Sequence, residues 1–355
     1  MDRKSLKFAA LETAQAVPVV GFKTHINVAR YLHSLGTTHA YRVLGGILSS
    51  NLLVNGYDHQ STSNVHNEVW MHLNREPDSK ESSTSIVQNS RWDIVDFIVL
   101  LTVYHDGDFD KGKLEVRVAI NSTHYASLDT INRFSKFILA LWGLRKDRPM
   151  YFKGVEDYLL DSLQGVKFTT RIKCLNYAVD SDIWHRSFNP GSFTESEIAQ
   201  KLDLHMSQIT AEDIDTIQGL NVIKYDKGYL ENCCPASSCI RRASDSAPVS
   251  WVVCHADYQI GALLTVDDYR SRGLAKFILQ DLGNKMIANF AAKMTLLYDE
   301  PPTDFNFQLQ MITELTNINT RRLFERFGFR PVANVSWAEC TFEVAKLPSV
   351  SKPKL

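Results

Sequence analysis

The pattern Arg270-x-x-Gly273-x-Ala275 brings together two things an anion needs: cationic donors and a backbone that a ligand can approach closely. It lies in GALLTVDDYRSRGLAKFILQDL, residues 261–282. An apolar run at 262–266 predicts a strand that ends in Asp267 and Asp268. From Arg270 onward, Leu274, Phe277, Ile278 and Leu282 recur at intervals of three and four, which predicts a helix over 270–290 with one buried face. The first turn of a helix carries unpaired backbone N–H groups and the positive end of the macrodipole. Gly273 places no side chain in the way, and Arg270 and Arg272 add charge-assisted donors beside Leu274 and Ala275. The ligand that fits such a turn is a pyrophosphate. On this segment alone, an ordinary helix start with surface arginines reads the same way.

A second segment separates the two readings. Residues 317–329 read NINTRRLFERFGF. Asn317 or Asn319 can cap a helix over 319–327, Leu323, Phe324 and Phe327 form its buried stripe, and Gly328 suits the left-handed position that ends it. Together the two segments resemble the GNAT N-acyltransferase superfamily. Its second motif, N-x-x-[ST]-x-x-L-F-x-x-x-G-F, is met by Asn317, Thr320, Leu323, Phe324, Gly328 and Phe329. Val249-Ser250-Trp251, Gly261, Leu263, Thr265, Asp268-Tyr269-Arg270 and a late Trp337 narrow the likeness to the glycine N-acyltransferase-like relatives. Trp251 and Trp337 read as core residues before they read as substrate contacts.

The resemblance implies an α/β fold with a mixed sheet and an acyl-coenzyme A co-substrate, with no permanently bound cofactor. The first motif, Arg270 to Ala275, would bind the coenzyme A pyrophosphate, with Asn317 and Phe324 beside it. The preceding strand (Leu264, Thr265, Val266) would splay from its neighbour. Leu264 and Val266 would offer main-chain hydrogen bonds to the pantetheine arm, and a backbone N–H would hold the oxyanion. Two positions depart from the pattern. Phe324 stands where many relatives have a Tyr that protonates the thiolate, and Gln259 stands where glycine N-acyltransferases have a Glu base. His255, Asp257 and Glu314 are the nearby substitutes, His255 first because imidazole titrates near neutrality. The implied activity is transfer of an acyl group to a small amino acid or amine. An acyl-CoA-binding pseudoenzyme or regulatory module is the alternative, and a protein N-acetyltransferase the third.

The rest of the chain frames this site. At 355 residues two domains are expected, 1–190 and 193–348, with a linker near 188–192. The second is expected to complete a layered unit by itself. The first is an α/β domain of open role that only loosely resembles the same family in length and strand order, a degenerate GNAT-like copy being one reading. No internal repeat is visible. Elements are expected at 26–35 (helix), 40–54 (strand), 93–104 and 114–120 (strands), 128–144 (helix) and 167–179 (strand). Short strands are expected near 330–333 and 338–344. A net charge of -1 gives no reason to expect nucleic acid or an anionic membrane as partner. The apolar run 134–144 is far short of the ~20 residues of a bilayer span. Residues 1–25 show no secretory signal, which favours the cytoplasm, with the mitochondrion second. Six cysteines, among them Cys233, Cys234, Cys239 and Cys254, lack the paired C-x2-C spacing of zinc sites, so no metal is expected. Residues 107–113 (GDFDKGK) mimic a phosphate loop, but Asp108 and Asp110 would repel phosphate and Leu114 offers no hydroxyl for Mg²⁺.

Overall fold

Among the described residues, ten helices and strands occur in one order, and then the same order begins again. The computed structural model describes residues 16–19, 22–49, 65–74, 86, 91–104, 114–121, 127–144, 149–188, 203–295, 297–298 and 307–340. The first series is β1 (Ala16–Pro18), α1 (Phe22–Leu35), α2 (Thr38–Ser49), β2 (Val65–Leu73), β3 (Val95–Tyr104), β4 (Leu114–Ile120), α3 (Leu128–Leu144), β5 (Met150–Glu156), α4 (Asp157–Asp161) and β6 (Phe168–Asp180). A short α5 (Ser181–Ser187) follows. The second series is β7 (Leu204–Ser207), α6 (Ile214–Leu220), α7 (Lys227–Cys233), β8 (Ser237–Arg242), β9 (Pro248–Cys254), β10 (Gln259–Thr265), α8 (Leu274–Met294), β11 (Gln308–Glu314), α9 (Ile318–Arg326) and β12 (Arg330–Cys340). The duplication lives in the order of elements and not in the residues, which is why the sequence shows no repeat.

The twelve strands of the described residues form one sheet in the order β1-β2-β3-β4-β5-β12-β6-β11-β10-β9-β8-β7. The last strand of each series has crossed into the other. β12 lies between β5 and β6, and β6 lies between β12 and β11. Among the described residues, only β4–β5 and β10–β11 pair in parallel, so the sheet is mixed as expected. The expected boundary at 190–193 falls within 189–202, outside the described residues. Strand pairing nevertheless runs across it, from Gln308↔Asp180 to Glu314↔Cys174. The sequence expectation that 193–348 is complete by itself does not describe this sheet.

The core is continuous across the halves as well. Val28, Leu44 and Leu100 share one cluster with Leu279, Met286 and Phe290. Tyr41 of α2 meets Phe290 and Phe307 edge-on, both at 6.2 Å. Aromatic pairs of this kind add to the burial of their area.

Four local expectations change. Residues 40–49 are the α2 helix and not a strand. Their apolar run is nearly unbroken, so strand and helix cannot be told apart by pattern, and Gly45 sits where a Cβ would come within 2.8 Å of the Asp257 backbone. The helix expected from Arg270 starts at Leu274. The two short final strands are one strand, β12, bent by register shifts at Pro331/Ala333 and Glu339/Cys340 against β6. Strands β2 and β5 went unforeseen. The phosphate-loop mimic at 107–113 lies outside the described residues.

Candidate active site

Strands β10 and β11 start as a parallel pair at Gln259↔Gln310 and Ile260↔Met311, and there the pairing stops. Beyond Ile260 the β10 backbone bulges. Its register against β9 shifts between Gly261 and Leu264, and Ala262 is left-handed at φ 51°. A bulge re-aims a strand and frees main-chain groups from the ladder. The opening between the two strands is a cleft of about 790 Å³. Its wall includes residues 259–264 of β10, the end of β11, and Asn317, Thr320 and Phe324 of α9.

Main-chain polarity in β10 follows from its bonds. Val266 N–H donates to Val249 O (2.9 Å), and Leu264 O accepts the Ser250 hydroxyl (3.0 Å). Both residues therefore face β9. Successive residues of a strand turn their backbone groups to opposite sides, so Thr265 faces the open side, where its carbonyl takes Arg270 Nε (3.0 Å). The resemblance had named Leu264 and Val266 as the groups open to a ligand. The alternation gives that position to Thr265, with Leu263 one step nearer the bulge.

After β10 the chain makes a 3₁₀ turn at Asp267–Tyr269 and reaches α8 through Ser271 (φ 61°) and Gly273 (φ 79°). Gly273 is the N-cap, and no side chain caps the helix. A Cβ on Gly273 would meet nothing within 4 Å, so the glycine is there for its left-handed backbone and leaves open space at the helix start. Leu274 and Ala275 open the helix, with unpaired N–H groups as in any first turn. Arg270 pairs with Asp267 (2.8 Å), and Arg272 donates to Asp268 O (2.9 Å) while lying 5.2 Å above the Tyr269 ring. Both arginines are exposed beside the uncapped helix end.

The matching helix of the first half is built differently. Thr130 N–H at the start of α3 is bonded to Ser127 Oγ at 3.1 Å, so that helix is capped by its own chain. Only the second half keeps an open helix start after its fourth strand.

α9 is positioned as its sequence suggests. Asn317 Oδ1 accepts Thr320 N–H (3.2 Å), and the helix ends with Gly328 at φ 85° and Phe329 N–H bonded back to Phe324 O (3.2 Å). Phe324 is buried, edge-on to Phe329 at 4.9 Å, and lines the cleft.

The candidate bases are placed very differently from one another. His255 forms part of the cleft wall in the β9–β10 turn, with Nδ1 bonded to the Tyr229 hydroxyl. Burial, with Lys153 and Arg117 nearby, pushes its pKa down to about 3, Asp257 opposing. The imidazole is therefore neutral and a weak base, and titration near neutrality does not fit it. Asp257 is spent on ions: Arg117 Nε lies 3.2 Å and Lys153 Nζ 3.7 Å from Oδ2. Burial alone would raise this carboxyl, but Lys153, Arg117 and neighbouring cations hold it far below the usual range. Glu314, at the end of β11, is only partly buried and lines the cleft, with the Thr316 hydroxyl 3.4 Å from Oε2.

Sequence reasoning missed what the first half contributes. Glu115 of β4 and Tyr151 and Lys153 of β5 reach the same cleft, where they meet Trp337 of β12, the late tryptophan the sequence had singled out. Lys153 and Trp337 stand opposite each other in the β5–β12 register, which exists only because of the strand exchange. Tyr225 and Tyr229 line it as well, and Lys153 Nζ lies 5.9 Å from the Tyr229 ring centre. Nothing in linear spacing marks these residues.

No protein-family model and no curated protein sequence matches the chain. Solved structures do. A Drosophila protein solved by X-ray diffraction superposes with a TM-score of 0.59 at 11% identity, covering 92% of this chain and 98% of its own. A tandem GNAT protein from the clavulanic acid biosynthesis pathway gives 0.50 at 9% identity, with the same coverages of 92% and 98%. The fold is a tandem GNAT fold. The duplicated order of elements is thus that of two GNAT-fold units sharing one sheet. The cleft belongs to the second unit, walled in part by the first. Among the described residues, no helix is long and apolar enough to cross a membrane.

Proposed function

We propose that the second GNAT unit transfers an acyl group from a coenzyme A thioester to the amine of a small amino acid or amine. The observation that carries this reading is the parting of β10 and β11 after Ile260 and Met311, with the Ala262 bulge at the opening and the uncapped start of α8 following it. A strand edge freed from its neighbour can pair with an extended amide-bearing arm. The helix start, with Arg270 and Arg272, suits the pyrophosphate at the other end of that arm. A backbone N–H at the bulge would stabilise the oxyanion, a contribution of about 3 kcal/mol per donor in other enzymes.

The acceptor reading rests on the cleft wall. Asn221 Nδ2, Gln259 Nε2 and Trp337 Nε1 are buried donors without a partner among the described residues, and all three residues line the cleft. Unsatisfied buried donors are costly, so a ligand that brings oxygen acceptors, such as a carboxylate, is favoured there. The motif likeness to glycine N-acyltransferases points the same way. An acyl-CoA-binding module without turnover is the second reading, favoured by Phe324 and by the weak basicity of His255. Calorimetry with acetyl- and benzoyl-CoA tests the co-substrate. Thiol release that depends on added amino acids or amines tests the transfer. Tight binding with no amine-dependent release would establish the second reading instead.

A further inference from the structure

Lys153 belongs to the first unit and ends in the cleft of the second. A bulge in its strand comes directly after it. Gly154, at φ 65°, is skipped in the β5–β12 register, where Val155 pairs with Ser336 and Lys153 with Trp337. Such a bulge re-aims the side chain beside it. A Cβ at Gly154 would collide with the Arg42 guanidinium and the Ile312 side chain, and Arg42 of α2 donates to the Gly154 carbonyl. The bulge is therefore fixed from α2.

Two carboxylates flank the Lys153 ammonium, and it is hydrogen-bonded to neither. Asp257 Oδ2 lies 3.7 Å from Nζ and Glu115 Oε1 4.0 Å, both beyond hydrogen-bond length. Arg117 engages these two carboxylates itself, Asp257 through Nε at 3.2 Å and Glu115 through Nη2. The Tyr229 ring, stacked on Tyr225, lies on another side of Nζ. Among the described residues, no acceptor takes a Lys153 hydrogen. A second free donor stands across the register. Directly opposed residues of an antiparallel pair share one face of the sheet, and Trp337 Nε1 is buried without a partner among the described residues.

We propose that Lys153 determines acceptor specificity: with Trp337 Nε1 it holds the carboxylate of the acceptor, which makes that acceptor an amino acid and not a simple amine. This rests on the acyltransferase reading above. A carboxylate only accepts hydrogen bonds and has two oxygens, so it answers an ammonium and an indole N–H at once. An alkylamine brings no oxygen and would leave both donors unpaired. The pairing of β5 with β12 thus gives the first unit a part in choosing the acceptor, while the second unit takes the acyl donor.

Lys153→Met keeps the apolar stem and removes the charge. With glycine, alanine and phenylalanine as acceptors, kcat/KM should fall at least about tenfold, carried by KM, as for loss of a hydrogen bond to a charged group. With the amides of the same amino acids, which keep the amine and lack the anion, the change should be far smaller. Lys153→Arg keeps the charge and should recover part of the loss. Should Lys153→Met fail to fold by circular dichroism, Trp337→Phe must show the same split between acids and amides. Equal losses on acids and amides, or no loss on the acids, would overturn the proposal. A wild type that acylates the amides and not the amino acids would overturn it and leave the acyltransferase reading standing. A wild type that transfers to no amine at all would overturn that reading, and the acceptor site with it.

Discussion

The Nε2 edge of His255 lies against the Cα of Gly261 so closely that a Cβ at position 261 would overlap the ring. Nδ1 of the same imidazole is bonded to Tyr229, so the ring is fixed between the bulged strand and the tyrosine pair. Gly261→Ala therefore cannot be absorbed without moving His255. Overpacking of this kind costs about 1–3 kcal/mol. The cost should shrink in a His255→Ala background, where the methyl finds room. Urea unfolding of the two single variants and the double variant measures the coupling. Strictly additive losses would show that the ring yields freely.

The pH behaviour of His255 has a definite sign. Its folded pKa is pushed to about 3, below the ~6.5 of an unfolded histidine. Between these values the unfolded chain binds more protons. The contribution to stability is full above about pH 6.5 and is lost as pH falls toward 3. His255→Gln should flatten that part of the stability–pH curve. The wild-type ring should show no NMR titration between pH 5 and 8. A ring that titrates near 6.5 would restore His255 as a candidate base.

The start of α8 and the start of α3 make opposite predictions. Gly273→Glu sets a carboxylate in the open space at the helix start, and acyl-CoA affinity should fall at least about tenfold, about 1.4 kcal/mol. Any side chain there also strains the left-handed backbone by roughly 1–2 kcal/mol. Gly273→Asn, which tolerates that conformation better, isolates the strain and should bind acyl-CoA far better than the glutamate variant. Ser127→Ala removes the cap of α3, costing about 1 kcal/mol of stability, and should leave acyl-CoA binding untouched. Calorimetry giving equal affinities for Gly273→Glu and the wild type would remove the anion site from α8.

The residues that were legible in the sequence are those whose roles are local. Asn317 and Gly328 mark the two ends of α9 because capping depends on the residues of one turn, and Leu274, Ile278 and Leu282 mark the buried face of α8. Gly273 was legible as a break in side-chain cover, though its left-handed cap delays the helix by four residues. Lys153 and Glu115 were not legible, and Trp337 was legible only as a late tryptophan of the motif likeness, read as a core residue. They reach the cleft through pairings between strands far apart in the chain, and alternation within a strand says nothing of which partner it meets. His255 was legible as an imidazole near the reacting strand, but its pKa depends on burial and on Lys153, which spacing cannot supply.

Strand exchange sets the last prediction. Residues 193–355 alone would lack β6, whose pairing runs from Gln308↔Asp180 to Glu314↔Cys174 on one side and from Arg330↔Ala178 to Cys340↔Phe168 on the other. Removing β6 opens a gap in the middle of the sheet, exposes two strand edges and strips Met311, Phe324, Ile312 and Val335 of Tyr177 and Cys174, their cluster partners. Open edges next to apolar surface lead to association. The fragment should aggregate when expressed alone and become soluble when residues 1–192 are expressed with it, since the missing strand then returns in trans. Acyl-CoA binding should return with solubility, because β11 borders the cleft and is held by β6 on its other side. A soluble, monomeric 193–355 fragment that binds acyl-CoA would mean that β12 can close on β11 directly, leaving the second GNAT unit complete without the first.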